Sequence, residues 1–128
     1  MVMRRHRGER GATLLILAMV VFIFLSAAVM LASSQITHST RVMAEYGKLQ
    51  AMNAAEAGIF ASFAATASLG PTTLATGDPL VLYEADVSGP APSFWITSTG
   101  SAALAGFTYR SRARAFVNDG RILQWEFE

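Results

Sequence analysis

The feature that most constrains this chain is an uncharged run near its start, residues 14–32, reading LLILAMVVFIFLSAAVMLA. At a rise of about 1.5 Å per residue a helix over this run is about 28 Å long, enough to cross the hydrocarbon of a bilayer. A soluble protein buries so uniform a helix only inside a thick shell of protein. A chain of 128 residues leaves too little sequence to build that shell. The overall mean hydropathy of +0.37 is high for a small domain, and the excess sits in this one segment.

The flanks of the run set a direction. Arg4, Arg5, Arg7 and Arg10 precede it against the single acid Glu9, whereas Ser33, Ser34 and Gln35 follow it and no Lys or Arg appears before Arg41. The positive-inside rule then keeps the first residues cytoplasmic and exports everything after the span across the inner membrane. Without its first eleven residues the chain has two more acids than bases, so contact with nucleic acid is not expected. Cysteine is absent, which excludes disulfides and thiolate metal sites as braces.

All four prolines, Pro71, Pro79, Pro90 and Pro92, fall after residue 70, and between residues 12 and 69 only Gly47 and Gly58 interrupt good helix formers. The organisation expected is a leader over residues 1–11, a transmembrane helix over 12–33 and an amphipathic extension of that helix over 34–69. A linker over 70–79 and an antiparallel β-meander of about four strands over 80–128 complete it. In the extension, Val42, Tyr46, Leu49, Met52, Ile59, Phe60 and Phe63 recur at helical steps and predict a stripe that the tail covers. Strands are expected at 80–87, 94–99, 107–117 and 121–127, the last two joined by a tight turn at Asn118-Asp119-Gly120. Alternation places Arg110, Arg112 and Arg114 together on one face, expected to be in solvent. The fold class is therefore α+β, a long N-terminal helix packed on a small antiparallel sheet.

Two short motifs point to a family. Arg10-Gly11-Ala12-Thr13-Leu14-Leu15-Ile16, at the mouth of the apolar run, resembles a prepilin-type leader, and Ala54-Ala55-Glu56-Ala57-Gly58 resembles the AAEAG segment of PilX-type minor pilins and of the K-type pseudopilins of type II secretion. Together with the span and a strand-rich tail, the likeness to the type IV pilin-like family covers most of the chain. It implies cleavage by a prepilin peptidase between Gly11 and Ala12, N-methylation of Ala12, and retention of the hydrophobic helix. The competing routes are an uncleaved signal anchor, and secretory cleavage near Ala32-Ser33-Ser34. Major pilins carry a glutamate at the fifth position after the cut; here Ile16 stands there, which fits a minor, priming or tip-located subunit better than one building a filament shaft. A helix-bending proline in the span and a C-terminal cysteine pair are also missing.

In physical terms Ala54, Ala55, Ala57 and Gly58 form a narrow helix surface that permits close packing. Glu56, the lone acid among them, either pairs with Arg110 or Arg112 or stays solvated. Catalytic chemistry finds no motif. His6 and His38 have no acid placed to orient them, and Asp78, Glu84, Asp86 and Asp119 lack the spacing of a calcium loop. Phe94, Trp95, Phe107, Tyr109, Trp125 and Phe127 are expected to form the core of the sheet rather than a ligand cage. The expected role is structural, with other pilin or pseudopilin subunits and the prepilin peptidase as partners and with no cofactor, metal or small-molecule substrate. The alternative is a signal-anchored exported module that binds a surface or partner through its sheet face.

Overall fold

The computed structural model describes the backbone from Arg5 to Glu128 and side chains from Arg10 onward; the expectations for Arg4, Arg5, His6, Arg7 and Glu9 lie outside the described side chains. One helix, α1 (Arg5–Ala65), is followed by five strands, β1 (Leu69–Ala75), β2 (Leu80–Ser88), β3 (Ser93–Leu104), β4 (Phe107–Asn118) and β5 (Arg121–Phe127). The chain divides after Thr40 into two compact units. The first contains the apolar part of α1, whose most hydrophobic 18-residue window has a mean hydropathy of 3.0 and buries nothing within the chain. Leu14, Phe22, Phe24 and Leu31 all lie open on its surface. The helix is long and apolar enough to be a membrane anchor.

The second unit, residues 41–128, is α+β: the C-terminal part of α1 lies on one face of an antiparallel sheet ordered β1-β2-β3-β4-β5. Each strand pairs with the next in sequence, so the sheet is a pure meander. Asp119 and Gly120 turn β4 into β5 with φ of 49° and 72°, the two positive angles that a two-residue hairpin needs. Ala105 and Gly106 repeat the device between β3 and β4, at 51° and 80°.

The sequence expectations need four corrections. The segment read as a linker, residues 70–79, holds all of β1 but Leu69, which makes five strands rather than about four. Pro71 is tolerated because β1 is an edge strand and the proline falls in a register shift between Leu69 and Thr72, while Thr72 and Thr73 pair with Tyr83 and Leu82. The helix ends at Ala65, where Thr66 turns to φ 54°, not at residue 69. Strand β3 continues past Thr99 to Leu104, through Gly100 and two alanines that carry little strand propensity of their own.

The fourth correction concerns the face that α1 buries. Val42, Tyr46, Leu49, Met52 and Phe60 are exposed; of the expected stripe only Ile59 is buried, with Phe63 half-buried. The face against the sheet is made instead of Gly47, Ala51, Ala54, Ala55, Gly58, Ile59 and Ser62. Two clusters form the core. Ala55 and Ile59 meet Phe94, Ile96, Ala113, Ala115 and Val117, while Ala51 and Ala54 meet Val81, Tyr83 and Ala102. Small side chains win this face because the backbones approach closely. A methyl on Gly100 would strike the carbonyl oxygen of Ala51 and the amide nitrogen of Ala55 and come within 2.9 Å of the Ala54 methyl.

Four substitutions test this seam in thermal unfolding of the full chain in detergent micelles. Gly100→Ala costs about 1–3 kcal/mol, since helix backbone blocks the added methyl, and Gly47→Ala costs less, because the Tyr109 ring it meets can swing away. Ile59→Ala costs about 2–5 kcal/mol by leaving a cavity. Ser98→Ala is neutral or stabilising, because the Ser98 hydroxyl is fully buried with no hydrogen-bond partner and its desolvation costs about 1–3 kcal/mol.

Candidate functional site

The residues singled out in the sequence fall into three places. Gly11, Ala12 and Ile16 lie on the exposed N-terminal part of α1, and beyond the local helix backbone no described residue comes within 4 Å of where a β-carbon on Gly11 would sit. That stretch of backbone is open to an approaching enzyme or lipid. Ala54, Ala55 and Gly58 lie in the seam just described, with Ala57 half-buried at its margin. Gly58 is held against the Ser98 hydroxyl and the Tyr83 ring. Glu56 is exposed and makes no ion pair among the described residues, and Arg110 and Arg112 sit on the opposite face of the sheet.

That opposite face carries most of the described charge of the sheet, and its layout follows from strand register. Across the sheet, Leu82, Ser101 and Arg110 make one row, Glu84, Thr99 and Arg112 the next, and Asp86, Thr97 and Arg114 a third. Read along the strands, β2 presents an acidic column, β3 a floor of short hydroxyl side chains and β4 a column of three arginines. With neighbouring strands about 4.8 Å apart, the acidic and basic columns stand about 10 Å from each other, and no ion pair joins them among the described residues. Between them runs a trough. One cavity of about 560 Å³ is lined by Glu84, Asp86, Thr97, Thr99, Arg112 and the Ser68–Gly70 segment, and a second of about 340 Å³ shares Glu84 and Thr99 and reaches Pro71, Ser101 and Arg110.

The columns are held unequally. Asp86 accepts a hydrogen bond from Ser68 Oγ at 2.8 Å, and the same oxygen accepts from the Val87 amide at 2.9 Å, which anchors the start of β1 to β2. Arg114 lies between Glu126 at 3.7 Å and Glu128 at 3.6 Å and stacks 4.6 Å from the centre of the Trp95 ring, which itself packs on Phe116. Arg112 reaches Glu128 at 3.5 Å through a side chain 58% exposed. Arg110 and Glu84 make no ion pair among the described residues.

The aromatic residues are divided between the two faces, contrary to the expectation of one core. Phe94 is in the core and Tyr109 and Trp125 pack against it, whereas Trp95 lies on the arginine face and Phe107 and Phe127 are exposed. Phe60 of α1 stacks on Trp125, with ring centres 5.5 Å apart. No group of three or more His, Asp or Glu side chains able to hold a metal occurs among the described residues. Asp78 accepts a hydrogen bond from the Ala105 amide at 3.1 Å, and Asp119 serves the β4–β5 turn.

Arg114→Ala is expected to cost about 1 kcal/mol in thermal unfolding at low salt, because it removes two carboxylate contacts and the indole contact together. Arg112→Ala, which loses one exposed pair, costs a few tenths of that order, and 0.5 M salt narrows the difference. No family model, curated protein or solved structure matches this chain.

Proposed function

We propose that this protein is a minor, pilin-like structural subunit, held in the inner membrane by residues 14–32 with its N-terminus cytoplasmic and its sheet-bearing unit exported, and that it acts in assembly, priming or at the tip of a type IV pilus or type II secretion-like filament. The observation that carries this reading is the division of labour along α1. Its first part exposes an apolar surface that no described residue of the chain covers, and its last part spends the AAEAG segment on a close seam with the sheet. An apolar helix of this kind finds its partners in lipid and in other apolar helices, where packing of side chains and not water exclusion drives association. Assembly, not turnover, is then the work of the molecule. Ile16 puts no charge into the membrane-embedded part, so this subunit does not offer a neighbour's N-terminal amine the acid that a shaft subunit provides.

The trough on the arginine face favours a second reading, a signal-anchored exported binding module that recognises a surface or partner through that face. The two differ in what the helix is for. Replacing residues 1–33 with an unrelated anchor leaves a binding module active and abolishes a filament subunit.

The primary test is the intact mass of the chain from cells that hold an active prepilin peptidase. The expected product starts at Ala12 with a methylated amine, and Gly11→Val remains full-length; a wild-type chain still starting at Met1 would falsify the pilin reading. A charge at the centre of the span, Ile23→Arg, is expected to weaken insertion by about 2.5–3.5 kcal/mol in a membrane-integration assay.

A further inference from the structure

The charge columns of the outer sheet face are arranged so that a second copy of the same chain fits them. We propose that two copies pair face to face through this surface, about a two-fold axis running along β3. Rotation about that axis exchanges left and right but preserves position along the strands. It therefore sets β2 of one copy over β4 of the other. By the register, Glu84 then faces Arg112 of the second copy, Asp86 faces its Arg114, and the hydroxyls of Thr97 and Thr99 meet their own counterparts on the axis. Each contact occurs twice, as an isologous interface requires.

The alternative axis, across the strands, fails on charge. It leaves β2 over β2 and β4 over β4, so acids oppose acids and arginines oppose arginines. Face-to-face sheets pack about 10 Å apart, a gap that an arginine and a glutamate reaching from opposite sides can span. The trough receives the arriving side chains, and the unpaired Arg110 and Glu84 lie along it.

Direction supplies an independent constraint. Within the sheet-bearing unit α1 runs opposite to β3: Gly47 lies at Tyr109, the partner of Ala102, then Ala51, Ala54 and Ala55 lie at Gly100, and Gly58 lies at Ser98. An axis along β3 preserves that sense, so the residue-41 ends of both helices head the same way. Two chains anchored in one bilayer through the preceding residues need this, and the axis across the strands would send them in opposite directions. Exposed ion pairs are individually weak and screened by salt, so this pairing belongs to chains concentrated in a membrane rather than to dilute solution.

The chain has no cysteine, which makes a single introduced thiol a clean probe. Thr99→Cys, on the axis, is placed in the full-length chain in membranes and treated with a bifunctional thiol reagent spanning about 10 Å. Leu49→Cys, exposed on α1 on the other side of the sheet, is the control. The expected result is a homodimer adduct at least fivefold more abundant for Thr99→Cys. Adding Glu84→Arg, or adding Arg112→Glu, lowers it at least fivefold while circular dichroism stays unchanged. Co-expressing the two singly reversed chains restores it, since each then offers the other its missing sign. Equal cross-linking at both cysteines, an adduct containing a different polypeptide, or no restoration in the mixture overturns the proposal. Cleavage at Gly11 plays no part in the readout, so failure here leaves the filament reading standing.

Discussion

The close contact between α1 and β3 is the constraint on which the rest of the sheet-bearing unit depends. Gly100 brings the strand against the helix backbone at Ala51–Ala55, and a helix that lies so low can present only glycine, alanine and serine to the middle of the sheet. Larger residues are displaced to the flanks, where Ile59 and Phe63 meet β4 and β5 and Tyr83 and Tyr109 close the other side. Shallow side chains bury little apolar area each, so stability comes from many contacts at short range. The unpartnered Ser98 hydroxyl is a local cost of that approach, since no group large enough to meet it fits beside Gly58.

The same contact explains which parts of the fold can be read from the amino acids and which cannot. The uncharged run, the Asn118-Asp119-Gly120 hairpin and the alternation of arginines along β4 each rest on a local rule, and local rules were enough. The buried face of the helix escapes sequence reading because a hydrophobic stripe is recognised by its large members, and here Val42, Tyr46 and Leu49 stay exposed while alanines do the packing. Strand β1 was hidden behind Gly70 and Pro71, which are turn residues in isolation but acceptable at an edge. Of the candidate site, the arginine column was legible, whereas the opposing acids on β2 acquire meaning only through the pairing of three strands.

The two faces of the sheet therefore follow different economies. The inner face is apolar, small and sealed by the helix. On the outer face, long charged side chains sit in ordered columns over a hydroxyl floor; Arg112 and Arg114 pair with Glu126 and Glu128 and Asp86 with Ser68, while Arg110 and Glu84 make no ion pair among the described residues. A surface so segregated by sign is costly to leave unmatched at close quarters and discriminates strongly between orientations of an approaching neighbour.

The irregular borders of the meander have a consequence of their own. Pro71 and two register shifts disturb β1, and Leu123 bulges out of β5 between its pairings with Phe116 and Val117. Neither border offers a long regular row of free amides and carbonyls, so unwanted lateral growth by strand addition is discouraged. For chains whose exposed apolar helices draw them together, that protection keeps proximity from turning into runaway cross-β aggregation.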